Sequence, residues 1–574
     1  MYAERPWLRF YGVVPPHLAY PALTLYDALC ATAARVPDAI AWDFFGTTRT
    51  YAHFINDIDT CADALAALGL KAGGRLLISM PTSPQGIIAF YAANKLGALP
   101  ALIHPLSTAP EIERYLNISK AQMVLTLDAF YPVFAAVAPT RPIVTLILAR
   151  ISDALPTLKR VGFWLTKGRH IPAVPADGRV CWWVPHMAAH HAPAPRAPAG
   201  TDDAAAILFS GGTTGIPKGI LLSHKNFIAE GMAVAAWGGI NNTDSMLAIL
   251  PIFHGFGLGV CINAVFMAGG KSILVPTFTP ASVAKLIRAK RPSILVGVPT
   301  LFDALAREPS LLSADLSCLR AAFSGADTLP RPVKERFERL VKVRGGHVPL
   351  LEGYGLTEAV SGIMAMPVGQ YREGSIGLPL PDMLAAVCRV GTGEELPPGE
   401  EGEICLAGPS VMLGYLDEPE ATQETLPVHT DGRTWLHTGD LGRMDSDGFF
   451  YFSARLKRMI KSSGFNVYPA QVEAVLYRHP LVAEACVIGV PDAEQVERVK
   501  AVVVLKDGAQ ANAATEQALI AACRASLIKW SCPREIEFRS ALPKTRIGKI
   551  DYMVLVAEHV AQAAAAAPDH AANS

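Results

Sequence analysis

Residues 210–219 read SGGTTGIPKG, between an apolar run at 204–209 and a polar stretch at 223–226, and their types suit a polyphosphate. Gly211, Gly212 and Gly215 let backbone N–H groups turn toward an anion at positive φ. The hydroxyls of Ser210, Thr213 and Thr214 add donors, and Lys218 adds a positive charge. The order is not that of P-loop NTPases, where Gly-Lys-Ser/Thr follows four spacer residues; here Pro217 precedes Lys218 and Gly219 follows it. Nucleotide chemistry of another kind is expected.

Short apolar runs at 75–80, 123–126, 143–148, 272–275 and 293–298 predict strands. Ala/Leu-rich segments such as 85–96 and 280–289 predict helices between them, an α/β layering. From about residue 385 the texture changes to short alternating strands, for example 402–406 and 448–453, which predicts a smaller β-rich unit. Beyond the Arg- and Lys-dense stretch 453–459, segments 471–477, 485–489, 501–505 and 517–527 read as helix, strand, strand and helix, a small α+β domain. The Ala-rich tail from about Ala561 is expected to fray.

At 574 residues the chain exceeds what one core organises, so two or more domains are expected. Basic and acidic residues balance at 51 each, which argues against a broad nucleic-acid-binding surface. No stretch reaches the length of uninterrupted apolar residues that a spanning helix needs. The first fifteen residues carry Glu4, Arg5 and Arg9 without a continuous apolar core, so the expected address is cytoplasmic. The ten cysteines show no Cys-x-x-Cys or zinc spacing and read as core residues in a reducing compartment. His190-His191 sits in a Pro/Ala-rich stretch and reads as loop.

Three further motifs join the loop: YGLTE at 354–358, TGD at 438–440 and PKTRIGK at 543–549. With this order the chain resembles the adenylate-forming superfamily of acyl-CoA synthetases, adenylation domains and beetle luciferases, over residues 25–555. Within it the pattern of LLEGYGLTE, GSIGLP, PSVMLGY, TWLHTGD, SGFNVYP and LPKTRIGK is most similar to bacterial long-chain fatty-acyl-CoA ligases. The fold this resemblance implies is α/β: two α/β subdomains plus a β-barrel-like subdomain in a large N-terminal portion, residues 1–453. A small mobile α+β C-terminal domain, 454–574, follows a hinge at 453–458.

The chemistry implied is activation of a carboxylate by attack on the α-phosphate of ATP, giving acyl-AMP and pyrophosphate, then transfer of the acyl group to CoA. Two anions must approach one another, so phosphate donors and a cation are required. Glu358 offers a hard oxygen ligand to Mg²⁺. By resemblance, Thr357 bonds the α-phosphate, Asp440 and Arg455 hold the ribose, and Ser324, Gly325, Ala326, Asp327, Glu352, Gly353, Tyr354 and Gly355 form the adenine pocket, with Tyr354 on the base. Lys549 matches the lysine that bridges carboxylate and α-phosphate. Lys457 matches the hinge pivot, where many members carry Asp. Rotation there would withdraw Lys549 and bring up Lys461, Gly464 and Phe465 for thioester formation.

PIFHGFG at 251–257 matches the block bordering the acyl pocket, with His254 near the carboxylate, and offers no aspartate for a substrate ammonium. The resemblance to long-chain fatty-acyl-CoA ligases makes a medium- or long-chain fatty acid the expected substrate. An aryl or other carboxylic acid, or an acceptor other than CoA, is the alternative. Residues 159–170, KRVGFWLTKGRH, set Phe163, Trp164 and Leu165 among basic residues and raise peripheral contact with the inner face of a membrane; the alternative is a surface loop whose Trp164 packs inward. Monomer and homodimer both stay open.

Overall fold

A computed structural model describes residues 5–137, 143–210, 217–458, 460–462, 465–467, 469–492, 496–527, 529–545 and 550–566. The chain divides into two compact units whose segments interleave. One comprises Met1–Ala385, Cys405–His437 and Asp447–Phe449, the other Ala386–Ile404, Thr438–Ser446 and Phe450–Ser574.

The larger unit carries two sheets. In the eight-stranded sheet Leu99–Leu102, Arg75–Ser79, Met123–Leu127, Thr145–Ala149 and Val180–Trp182 run parallel, beside Ala204–Phe209. Antiparallel Gly219–Ser223 and Gly414–Tyr415 complete one edge. The nine-stranded sheet has a parallel centre that includes Ser245–Ala248, Ile294–Gly297, Ala321–Ser324 and Leu350–Gly355. Near-continuous Val, Ile, Leu and Ala runs fit strands covered on both faces by helices.

Two helices show how the sequence is read by this core. Pro84–Lys95 is apolar around its circumference and is buried from Pro84 to Asn94, as expected for a helix enclosed by other elements. His224–Trp237 starts at a reciprocal cap: Ser223 Oγ accepts from Asn226 N at 3.1 Å, and Asn226 Oδ1 accepts from Ser223 N at 2.8 Å.

The smaller unit builds a five-stranded sheet around the long hairpin Val482–Asp492 and Val496–Leu505, flanked by helices Pro469–Arg478 and Ala513–Ser526. The predicted strands and helices of both units are present. The tail departs from expectation: Tyr552–Ala566 is helical well past Ala561, because alanine has the best helix propensity and Leu555 anchors the helix in a core with Ile488 and Val502. Among the described residues, no helix is long and apolar enough to cross a membrane.

Candidate active site

The 210–219 segment is the connection of an antiparallel hairpin. Phe209 pairs with Gly219, and Ser210 N donates to Lys218 O at 3.2 Å, so both ends of the loop are fixed at the sheet edge. Gly211, Gly212, Thr213, Thr214 and Gly215 lie outside the described residues. Leu416 N donates to Gly219 O at 2.7 Å, and Tyr415 pairs with Ile220, which lays the short Gly414–Tyr415 strand beside the loop's exit.

That placement groups four side chains in the larger unit. Lys218 Nζ stands 4.5 Å over the Tyr415 ring and 3.5 Å from Glu418 Oε2. The Tyr415 hydroxyl donates to Glu358 Oε1 at 3.1 Å. Met412 N donates to Glu358 O at 2.8 Å, tying the same return segment to the YGLTE backbone. Burial, with Glu358 nearby, pushes the Tyr415 phenol well above its ordinary range, so it stays protonated and donates. A cation for phosphate oxygens and a carboxylate of the type that holds Mg²⁺ are thus joined through one aromatic ring. Tyr415 was not anticipated from sequence; its signal is the last residue of PSVMLGY.

Thr357 and Glu358 open a short 3-10 turn, Thr357–Ala359, after strand Leu350–Gly355. Val360 follows at φ 65, a strained conformation for a β-branched residue, of the kind that concentrates at functional sites. A Cβ on Gly255 would lie 1.7 Å from Val360 O, so the chain beside His254 crosses this turn at a distance only glycine permits. His254 Nδ1 faces Phe256 N at 3.2 Å, and a π-helix, Phe256–Ala264, begins there, a local irregularity often found at functional sites.

The Phe256 ring packs over Gly325, where a Cβ would stand 3.2 Å from the ring and 3.1 Å from Gly353 O. Segments expected to form the adenine and acyl pockets therefore meet at Phe256. Ser324 is buried at the end of its strand, Ala326 takes φ 70, and exposed Asp327 accepts from Thr328 N at 2.8 Å. Tyr354 and Gly355 pair with Met364 and Gly362. Glu352 Oε1 accepts from Tyr371 at 2.9 Å, and burial raises its carboxyl to about 7.

A second unanticipated residue, an acid, lies beneath the same turn. Glu230, on helix His224–Trp237, is 1 % exposed. Its Oε1 accepts from Gly362 N at 3.2 Å, and burial raises the carboxyl to about 8, so it is neutral at pH 7. A single acid among Phe227, Ile228 and Ala233 carries no sequence signal that separates it from a surface residue.

In the smaller unit Asp440 and Arg455 are register partners on antiparallel strands Leu436–Met444 and Phe450–Arg455. Arg455 Nε lies 3.0 Å from Asp440 Oδ1, with the aspartate side chain almost wholly buried and the guanidinium half exposed. Thr438 Oγ1 accepts from Asp440 N at 3.0 Å and donates to Ile404 O at 2.7 Å. Gly439 N donates to Glu403 Oε1 at 2.8 Å, so the TGD turn is fixed from two sides. Lys461 and Phe465 lie on paired strands, with Lys461 opposite Asn466 and Phe465 opposite Ser462. Gly464 and Lys549 lie outside the described residues, and Lys457 falls in the short helix Leu456–Arg458.

A loop closed by a hairpin, a lysine and a carboxylate joined across a tyrosine, and parallel sheets with helical cover characterise this α/β protein. Residues 29–416 match the family model for an AMP-binding enzyme, and residues 471–549 match its C-terminal domain. The chain belongs to the AMP-binding enzyme family. It is 36 % identical over 568 residues to a long-chain-fatty-acid–CoA ligase of Bacillus subtilis, covering 96 % of this chain and 97 % of that protein. It is 33 % identical to a feruloyl-CoA synthase of an Amycolatopsis species, covering 90 % and 95 %. The ATP-bound crystal structure of MatB from Rhodopseudomonas palustris superposes with TM-score 0.81 at 28 % identity, covering 94 % of this chain and 99 % of that one.

Proposed function

We propose that the protein is an ATP-dependent acid–thiol ligase that activates a medium- or long-chain fatty acid as acyl-AMP and transfers it to CoA. The observation that carries the reading is the Lys218–Tyr415–Glu358 grouping at the base of the glycine-rich hairpin. Near-full-length similarity to a long-chain-fatty-acid–CoA ligase supports the choice of acid.

A carboxylate oxygen of the acid bonds to the α-phosphorus of ATP, and the bond from that phosphorus to the bridging oxygen breaks, releasing pyrophosphate. The CoA sulfur then bonds to the acyl carbon, AMP leaves with its oxygen, and the thiol proton passes to solvent. Lys218 and the 210–215 donors hold the β- and γ-phosphates, which keeps the leaving group's charge neutralised as it forms. Thr357 donates to the α-phosphate. Glu358 is the residue that would hold Mg²⁺; its fit rests on a hard carboxylate oxygen within the same group as Lys218, and the ion, when bound, supplies charge neutralisation. Tyr415 fixes the rotamer of that carboxylate.

Asp440 accepts from both ribose hydroxyls, and its Arg455 partner orients it. Ser324–Asp327 and Glu352–Gly355 enclose the adenine. His254 and Phe256 border the acid, and Lys549 bridges acid and α-phosphate. Residues 454–574 then turn about 453–458 to exchange Lys549 for the Lys461–Phe465 face. ATP and CoA place the reaction in the cytoplasm.

The test is product analysis with ATP, Mg²⁺, CoA and saturated acids from acetate to palmitate, with benzoate and ferulate alongside. Acyl-CoA and AMP in equal amounts, highest with the longer saturated acids, is the expected result. The similarity to a feruloyl-CoA synthase favours an aryl acid as the second reading, and ferulate as best substrate would establish it. AMP without any CoA ester would move the acceptor elsewhere.

A further inference from the structure

Residues 157–170 contribute nothing to the site described above, yet among the described residues they present the largest concentration of exposed apolar side chains on one short element. Helix Thr157–Thr166 leaves Leu158 89 %, Val161 54 %, Trp164 63 % and Leu165 52 % exposed. Positions 158, 161 and 165 recur at helical spacing and Trp164 lies beside them, so the four form one outward stripe.

The opposite side is anchored. Phe163 packs against the larger unit's main core, so the aromatic neighbour of Trp164 points inward. Lys159 Nζ donates to Phe45 O at 2.6 Å. Leu155, just before the helix, is buried in the same core. A helix pinned by Leu155, Phe163 and Lys159 holds its apolar stripe outward as a fixed feature of the surface.

Charge selects the partner. From Ala154 to Ala176 there is no acidic residue, while Lys159, Arg160, Lys167 and Arg169 are all exposed. We infer that the outward face of helix Thr157–Thr166 docks flat on a bilayer containing anionic phospholipid, with Trp164 at headgroup depth and Arg160, Lys167 and Arg169 over lipid phosphates. A tryptophan beside aliphatic side chains suits the polar–apolar boundary of a membrane, and basic residues around it gain from anionic headgroups. Four outward side chains are far fewer than the roughly 20–30 residues a side that a stable protein interface uses, which favours a lipid surface over a protein partner. The inference is independent of which acid the site activates.

The test is co-sedimentation of the full-length protein with vesicles of phosphatidylcholine alone or mixed with phosphatidylglycerol. The protein is expected to bind the mixed vesicles and to leave the neutral ones. Val161→Ser with Trp164→Ser and Leu165→Ser should lower partitioning by about tenfold or more. Arg160→Glu with Lys167→Glu, which leaves the apolar stripe intact, should abolish the preference for phosphatidylglycerol. Both variants should keep the wild-type melting temperature and ATP-dependent turnover of a short soluble acid. Undiminished sedimentation of both variants, or no binding of the wild type to mixed vesicles, overturns the inference. A change in oligomeric state in place of vesicle binding would assign the face to a second copy.

Discussion

Tyr415 donates its hydroxyl to Glu358 Oε1 at 3.1 Å, although the two residues lie 57 positions apart. The contact exists because the two-residue strand Gly414–Tyr415 returns to the edge beside Gly219–Ser223, where Lys218 also emerges. A conformational choice far along the chain thus orients the carboxylate proposed to hold Mg²⁺.

Removing the hydroxyl alone should therefore act on metal and nucleotide use. Tyr415→Phe keeps the ring under Lys218 and is expected to raise the Mg²⁺ and ATP concentrations needed for half-maximal rate by about 10- to 150-fold, the worth of one hydrogen bond to a charged group. Tyr415→Ala should cost more, because Lys218 also loses the ring. Steady-state titrations of Mg²⁺ and ATP check both, and equal parameters for wild type and Tyr415→Phe would remove the hydroxyl from the account.

Asp440→Asn should leave the turn folded, since Thr438 and Glu403 hold its backbone, while weakening ATP binding. A loss of about 10- to 100-fold in KM for ATP with little change in KM for the acid is expected, from hydrogen bonds to a charged acceptor. An altered KM for the acid with an unaltered one for ATP would place Asp440 elsewhere.

The neutral, buried Glu230 ties stability to pH. Its folded pKa of about 8 lies above the ordinary 4.5, so the unfolded chain releases a proton that the folded one retains. Between those values stability falls as pH rises, by on the order of 1.4 kcal/mol per unit, and levels off above the folded pKa. Glu230→Gln, which keeps shape and the acceptor for Gly362 N, should flatten this slope and exceed the wild type in stability at pH 8. Urea unfolding at pH 5.5 and 8 reads the effect; parallel slopes for the two proteins would refute it.

Lys549→Ala separates the half-reactions. Formation of acyl-AMP should fall by about a hundredfold or more, the scale of losing one charge stabiliser in a transition state. Thioester formation from supplied acyl-AMP should proceed near the wild-type rate. Equal loss in both halves would contradict the proposed exchange of Lys549 for the Lys461–Phe465 face.

Much of this architecture is written in local pattern. Parallel strands such as Met123–Leu127 and Ile294–Gly297 show as apolar runs because both faces are covered, and the helices between them show as Ala/Leu periodicity. Loop 210–219 and TGD are legible because glycine at fixed offsets has few other uses. Tyr415 and Glu230 are different. Each acquires its role only when the fold brings a distant segment alongside, a two-residue edge strand in one case and the Gly362 backbone in the other. Residues 163–165 show the same limit: sequence groups Phe163 with Trp164, and only helix orientation sends one into the core and the other outward.

The central claim is that a carboxylate oxygen of the acid attacks the α-phosphorus of ATP. It is tested most directly by turnover of palmitate labelled with ¹⁸O in its carboxylate, with ATP, Mg²⁺ and CoA, followed by mass spectrometry of the nucleotide product. One labelled oxygen in AMP, together with palmitoyl-CoA retaining the other, is predicted. Unlabelled AMP, or ADP with the label in inorganic phosphate, would contradict an acyl-AMP intermediate and with it the roles assigned to Thr357, Glu358 and Lys549.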